Sequence, residues 1–314
     1  MASKPAASRI LIVGGSGFLS GTIARVARAQ GHEVWAITRG ERPLPDGVIS
    51  LVVDRHDSAV FAQVVAGAKQ QWDLVVDCIA FRPEDARQDL AIFPAVARQL
   101  VLVSTDFVYD PAHRGFPQAE ESSHYISDGY GGAKRDCEVA LIEGDSGGMA
   151  WSIVRPCHIY GPGSQLGCLP LHGRDPQLIT RLQAGEALRL VGGGHFLQQP
   201  ILARDLAELI LSMAGNTQTY GQVFCAAGPD MIESREYYRI IADLLHVELR
   251  VEEIPVAEHL AAHPADAPFL CHRIYDLGKL RAAGAQVPTT PIAVGLRDHV
   301  ESLATAPLPP AGPA

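Results

Sequence analysis

Arg9-Ile-Leu-Ile-Val-Gly14-Gly-Ser-Gly17-Phe-Leu-Ser20-Gly21 is the stretch that decides the architecture. Residues 9–13 are an apolar run of strand length that ends in glycines, which reads as a buried parallel strand. Beyond the glycines, Ile23, Val26, Ala27 and Ala29 recur at helical spacing, and Gly31 stands where a helix stops. Residues 34–37 are apolar again. Strand, helix and strand therefore fit within about 30 residues, the size of one βαβ unit.

The alternation continues outward. Strands are expected at 48–53, 73–79, 101–104 and 152–154, and helices at 58–69, 83–100 and 130–143. Strands separated by helical patterns predict an α/β fold, a doubly wound parallel sheet of the Rossmann type over residues 9–160. Past Gly161 the alternation loosens and prolines and glycines cluster, so residues 161–302 are expected to form mainly a smaller, C-terminal substrate-binding part. Within it, a helix at 203–213 and a strand at 222–226 are expected to return to the sheet (residues 203–226 as a whole). Residues 1–8 and 304–314, the latter with four prolines, read as disordered tails.

Composition narrows the function classes. The chain has 314 residues, 47% hydrophobic and 19% charged, which is globular and argues against a mostly disordered chain. With 26 basic against 35 acidic residues the net charge is −9, so a dedicated nucleic-acid or anionic-membrane surface is unlikely. No apolar run approaches the roughly 18 residues of a membrane span, and the N-terminus is not a secretory signal, so a cytoplasmic location is expected. The six cysteines form no C-x-x-C pair and read as reduced thiols. The twelve histidines include no H-E-x-x-H, and no metal site is expected.

The glycine loop carries the first chemistry. In Gly14-x-x-Gly17-x-x-Ser20 the first glycine allows a tight strand-to-helix turn, and the second lets the backbone approach a pyrophosphate seated on the helix N-terminus. Ser20 replaces a third glycine and is small enough to make the departure mild. Strand two ends at Thr38-Arg39-Gly40, with Arg42 near and no carboxylate for a ribose 2′-hydroxyl. A guanidinium suits a 2′-phosphate, so NADP(H) is favoured over NAD(H), the other reading of Arg39 being a solvated loop residue. Asp54 is read either as an acceptor for the adenine amino group or as a turn residue. The expected cofactor-binding set here is Gly14, Ser16, Gly17, Phe18, Leu19, Arg39, Asp54, Ile79 and Ala80.

Tyr130-Gly-Gly-Ala-Lys134 sets a phenol and an ammonium on one helix face. A free tyrosine, with a pKa of about 10, is too weakly acidic to serve as a base at neutral pH, and a nearby ammonium corrects this. The pair then moves a proton to or from a substrate oxygen while hydride moves to or from a nicotinamide. Thr105, at the end of the expected fifth strand, would face the same crevice and hold the reacting oxygen.

The glycine loop, Ser104-Thr105-Asp106-x-Val108-Tyr109, Tyr130-x-x-x-Lys134 and Arg155-Pro-x-x-Ile159-Tyr-Gly-Pro162 occur in one order and spacing. Together they resemble the extended short-chain dehydrogenase/reductase family, the NAD(P)-dependent epimerase/dehydratase group, over about residues 9–300. The resemblance implies catalytic roles for Thr105, Tyr130 and Lys134, with Lys134 also on the nicotinamide ribose, a small sugar-like substrate, and a homodimer through the tyrosine helix. The implied activity is epimerisation or oxidoreduction by hydride transfer at a secondary alcohol or ketone.

Departures from the family pattern shape the alternatives. Dehydratases of this group commonly follow the threonine with two acids; here Asp106 is followed by Phe107, which lowers the case for a sugar dehydratase and leaves Asp106 as a general acid or a strand-end cap. The fourth strand ends in Asp77-Cys-Ile-Ala80 in place of His-x-Ala-Ala, and Asp77 reads as a satisfied polar residue beside the cofactor. Arg155 reads as structural. His158 stands where relatives carry a substrate-touching asparagine, a packed loop histidine being the other reading. Gln198 falls where sugar-nucleotide enzymes carry a diphosphate-binding arginine, with Arg174, Arg181 or Arg273 as replacements. A glutamine gives no charge-assisted pair, so the substrate is expected to lack a tightly held nucleoside diphosphate. A second class stays open: Thr38-Arg39-Gly40 and the Asp77 strand end also resemble chloroplast stem-loop-binding proteins, so a non-catalytic cofactor- or RNA-binding protein is the alternative.

Overall fold

The computed structural model describes residues 7–122, 124–168 and 171–305. Seven strands form one parallel sheet: β1 (Arg9–Val13), β2 (Glu33–Thr38), β3 (Ile49–Val52), β4 (Leu74–Asp77), β5 (Gln99–Val103), β6 (Ala150–Pro156) and β7 (Gln222–Ala226). Their spatial order is β3-β2-β1-β4-β5-β6-β7, so the chain reverses direction across the sheet between β1 and β4. In such sheets ligands bind beyond the carboxyl ends of the strands at this switch point. The helices are α1 (Phe18–Ala29), α2 (Ser58–Gly67), α3 (Pro83–Ile92), α4 (Gly129–Glu143) and α5 (Ala203–Ser212), with α1 against α5 and α3 against α4. The doubly wound sheet is the one that the alternation predicts.

Buried β-branched and aliphatic runs make these strands. Ile10, Leu11, Ile12 and Val13 are fully buried, as are Leu74, Val75 and Val76, as expected of strands covered on both faces. One expected helix is shorter than its pattern. The segment predicted as helical over 83–100 ends at Ile92, because Pro94 lacks an amide proton and its ring restricts the residue before it. A single turn, Phe93–Ala95, follows, and β5 begins at Gln99.

The chain divides into two units. The first takes in the residues up to Cys157, then Ala203–Ala227 and Ile274–Pro288; the second takes His158–Leu202, Gly228–Arg273 and the described residues from Thr289 on. The second unit has its own core, with Leu178, Leu182, Tyr237, Tyr238, Ile241 and Leu296 buried together. The return of 274–288 to the sheet-bearing unit has no signal in the sequence pattern. Of the expected tails, residues 1–6 and 306–314 lie outside the described residues. Ser8 donates its amide to His32, and the helix Ile292–Thr305 runs past the expected boundary. No helix among the described residues is long and apolar enough to cross a membrane, and none of the six cysteines is joined in a disulfide.

A buried ion pair fixes α4 to the rest of the first unit. Arg155 on β6 donates through Nε and Nη2 to the two Glu138 carboxylate oxygens at 2.8 and 2.7 Å. Its Nη1 donates to the Tyr109 hydroxyl and the Glu120 carbonyl, so the guanidinium is structural, as its place before Pro156 suggested. Burial alone would raise the Glu138 carboxyl; the Arg155 contacts outweigh it and hold the group below its ordinary range. Truncating one partner of a buried pair strands the other charge, at about 3–5 kcal/mol. Arg155→Met should therefore lower unfolding stability in urea by that order, and a loss below about 1 kcal/mol would show the pair to be solvated.

Candidate active site

The glycine loop joins β1 to α1. Gly14 has φ +98°, and a Cβ there would stand 2.6 Å from Cγ2 of Ile79; a Cβ on Gly15 would stand 2.4 Å from that of Ala36. Only glycine lets the loop lie this close to β2 and the end of β4. Ser20, where a third glycine was expected, closes the loop instead: its Oγ donates to the Gly14 carbonyl at 2.5 Å and accepts from the Gly17 amide at 3.0 Å. The first turn of α1 holds no acid, so its N-terminal amides and dipole face an anion unopposed. A cleft of about 500 Å³ opens beside the loop, lined by Gly15, Ser16, Gly17, Arg25, Arg28 and Leu44 among others. Gly14, Ser16, Gly17, Phe18 and Leu19 thus present a bare backbone and a helix N-terminus, which fit a dinucleotide pyrophosphate.

At the end of β2 the geometry corrects one reading. Arg39 does meet an acid: its Nη2 donates to Glu41 Oε2 at 2.8 Å, with both side chains more than half exposed. Glu41, between Gly40 and Arg42, is the carboxylate that the strand end was expected to lack. Asp54 accepts from the His56 amide at 2.9 Å, the local bond of a turn residue.

The catalytic candidates sit at the carboxyl end of β5 and the start of α4. Thr105 is 6% exposed and its Oγ1 accepts from the Phe107 amide at 3.3 Å, opening a short turn over Asp106–Val108. The Phe107 ring meets Tyr130 edge-on, with centroids 6.4 Å apart. Two glycines make this approach: a Cβ on Gly131 would lie 2.1 Å from the Phe107 carbonyl oxygen, and one on Gly132 would lie 2.5 Å from the Ser127 carbonyl carbon. Tyr130 is 54% exposed, while Lys134, one turn along, is 1% exposed. Lys134 Nζ donates to the Ala80 carbonyl at 2.8 Å and the Val103 carbonyl at 2.6 Å, tying α4 to the ends of β4 and β5. Thr105, Tyr130, Lys134, Ile79 and Ala80 therefore gather at one edge of the sheet.

Asp106 is engaged elsewhere. It is 1% exposed, its Oδ2 accepts from the Tyr275 hydroxyl, and Arg114 lies within 3.4 Å of the same oxygen. Arg114 also donates to the Asp106 carbonyl at 2.7 Å and to Tyr275 at 2.9 Å. The carboxylate thus ties its turn to the returning segment.

The second unit holds the remaining candidates. His158 is half-buried, its ring edge-on to Tyr237 with centroids 5.9 Å apart, and its carbonyl accepts from Ile201 at 2.9 Å. Gln198 and Arg273 are each 1% exposed and adjoin through a β-bridge, the Arg273 amide donating to the Leu197 carbonyl at 2.8 Å. Arg174 is exposed, and Arg181 faces Asp175 and Glu186. The bridge from Gln198 to Arg273 spans chain positions that no sequence period connects.

The largest feature missed by sequence reasoning surrounds Asp77. Arg55, 4% exposed, donates through Nη1 to Asp77 Oδ2 at 2.6 Å and through Nη2 to Asp89 Oδ1 at 3.0 Å and the Asp85 carbonyl at 2.8 Å. Asp77 Oδ1 accepts from the amides of Ile79 and Ala80 at 2.7 and 3.0 Å. Burial would raise the Asp77 carboxyl, but the Arg55 charge and hydrogen bonds from Asp89, Arg55 and Ile79 bring it below its ordinary range. For Asp89 burial and the Asp77 charge prevail and raise it well above that range. Of the two carboxyls, Asp89 is thus the one that holds its proton to higher pH.

A parallel sheet with a glycine loop at its switch point and a Tyr-x-x-x-Lys helix beside it defines a dinucleotide-binding enzyme scaffold of the extended short-chain dehydrogenase/reductase kind. The chain belongs to the NAD dependent epimerase/dehydratase family, whose model matches residues 10–226. It is 25% identical over 241 residues to the chloroplast stem-loop binding protein of 41 kDa b of Arabidopsis thaliana, covering 72% of this chain but only 60% of that protein's length. It is 26% identical over 281 residues to the 2′-dehydrokanamycin reductase of Streptomyces kanamyceticus, covering 87% of this chain and 78% of the reductase. Among solved structures, the UDP-glucose 4-epimerase of Thermotoga maritima with UDP-glucose shares the fold, with a TM-score of 0.75 and 17% identity over 94% of this chain and 98% of the epimerase.

The Asp89 assignment has a testable sign. A carboxyl whose folded pKa lies above its unfolded value of about 3.9 gives stability that is complete below that value and lost as pH rises through the folded one. Asp89→Asn keeps an acceptor for Arg55 and a donor for Asp77 but has no proton to lose. Its melting temperature should gain on the wild type as pH rises from about 4 to about 8. A gap that narrows over that range would overturn the assignment.

Proposed function

We propose that the chain catalyses hydride transfer at a secondary alcohol or ketone of a sugar-like substrate, as an oxidoreductase or epimerase using NADP(H) in preference to NAD(H). The observation that carries this reading is the convergence of Thr105, Tyr130 and buried Lys134 where β4, β5 and α4 meet. A bound nicotinamide would supply the hydride acceptor or donor. Tyr130, through its phenolic oxygen, takes the proton of a substrate hydroxyl or returns one to a ketone. Lys134 brings a positive charge to that part of the helix, which favours the phenolate. Thr105 hydrogen-bonds the reacting oxygen and holds it toward Tyr130. Asp106, engaged with Tyr275 and Arg114, is a poor general acid, so a dehydratase finds less support.

Gln198 beside Arg273 offers one guanidinium where a pair would clamp a diphosphate, which supports a substrate held without a nucleoside diphosphate. We place a homodimer through α4 in this reading as well, tested by sedimentation. The RNA-binding alternative draws on the stem-loop-binding relative, and the net charge of −9 opposes it.

Two measurements test the proposal. Tyr130→Phe removes the proton-transfer group and keeps the ring, so turnover of a ketose or alcohol panel should fall by about 10²–10⁴-fold with cofactor affinity unchanged. Full turnover in that variant would remove the mechanism. Net consumption of reduced nicotinamide marks a reductase, and its absence alongside product formation marks an epimerase. For the cofactor, the exposed Arg39–Glu41 pair is worth only about 0–1 kcal/mol, so a 2′-phosphate can displace Glu41. Arg39→Ala should weaken NADPH binding by roughly tenfold or more and leave NADH binding nearly unchanged, as befits a charge-assisted bond of about 1.5–3 kcal/mol. Equal calorimetric affinities of the wild type for both cofactors would exclude the preference.

A further inference from the structure

Three buried positions in the first unit form a chain of contacts that ends at Lys134. Arg55 clamps one oxygen of Asp77 at 2.6 Å. The other Asp77 oxygen gathers the amides of Ile79 and Ala80. That turn points the Ala80 carbonyl at Lys134 Nζ, 2.8 Å away. Asp77 and Ala80 are fully buried and Lys134 is 1% exposed, so little solvent screens the charges. We propose that Asp77, clamped by Arg55, is the positioning residue of this site: it fixes the carbonyl that receives the Lys134 ammonium and lends that ammonium a buried counter-charge.

A hydrogen-bonding group at this strand end could orient the turn without being charged. What an ionised carboxylate adds is field. Burial lowers the pKa of Lys134, and the opposing influences are Asp77 first, then Cys137, Cys78 and Glu138. The Phe81 ring lies 5.4 Å from the ammonium, and the remaining polar contacts are the Ala80 and Val103 carbonyls. The cysteines add no negative charge at working pH, since burial pushes Cys137 up to about 12 and Cys78 higher still. Glu138 is committed to Arg155 and Arg135. Asp77 is thus the one neighbouring carboxylate among these whose charge reaches Lys134 through a shared turn. The Arg55 guanidinium at 2.6 Å favours its ionised form.

The inference rests on the reading that Lys134 contacts the cofactor, and the test separates the two. Affinities for NADPH, and in parallel for NADH, are measured by protein fluorescence from about pH 6 to 10 in the wild type, Lys134→Ala and Asp77→Asn. The asparagine still accepts from Ile79 and Ala80 but carries no charge. A close opposite charge is worth about one to three pKa units, so Asp77→Asn should bind within about twofold of wild type at pH 6 and roughly tenfold or more weaker near pH 9. The double variant Arg55→Gln/Asp77→Asn removes both charges together, leaves no stranded guanidinium, and should show the same early alkaline loss even if the single variant does not fold. Weakened binding by Lys134→Ala with a wild-type pH profile in the folded Asp77 variants would overturn the inference. Unchanged affinity in Lys134→Ala would instead overturn the assignment of Lys134.

Discussion

Arg55 carries its guanidinium into the interior against three aspartates, and much of the sheet's carboxyl edge depends on that placement. Burying an ion costs several kcal/mol unless partners satisfy it, and here Asp77, Asp89, the Asp85 carbonyl and Gln88 do so. The arrangement joins the segment after β3 to the end of β4 and the first turns of α3. The β4 turn held in this way carries Ile79 and Ala80. Ile79 packs under Gly14, and Ala80 receives Lys134. The glycine loop and the lysine therefore lean on the same buried charge.

The tyrosine helix is restrained from three directions. Arg155 grips it through Glu138, Lys134 pins it to two strand-end carbonyls, and Gly131 and Gly132 let it press against the Phe107 turn and Ser127. None of these contacts involves the Tyr130 side chain, which is more than half exposed. The backbone that carries the group proposed to move the proton is thereby fixed, as a preorganised site requires.

How much of this was legible varied with the range of the interaction. Strands 9–13 and 222–226 were read to the residue because each is an apolar run bounded by turn residues. The 83–100 helix overran because its apolar spacing continued past Pro94, where the backbone could not. Local chemistry such as the glycine loop and the Tyr130–Lys134 spacing was visible because its partners lie within one turn. The Arg55 network was not, since its partners stand 22 and 34 positions away and no period links them. Glu41 is close in sequence, yet nothing in the spacing distinguishes an exposed Arg39–Glu41 loop pair from a guanidinium held open for a ligand.

The segment Ile274–Pro288 has a consequence for the order in which the molecule is made. The first unit is interrupted twice, by 158–202 and by 228–273, and Tyr275 reaches Asp106 across 169 positions. Loop-closure entropy grows only logarithmically with such a span, so the arrangement costs little at equilibrium. Its effect is kinetic, since contacts distant in sequence slow folding. A chain emerging from the ribosome can lay down β1 to β5 early, but the turn beside Thr105 stays unlatched until Tyr275 has been translated. The sheet's first strands and the glycine loop can thus be assembled during synthesis before the turn beside Thr105 is secured.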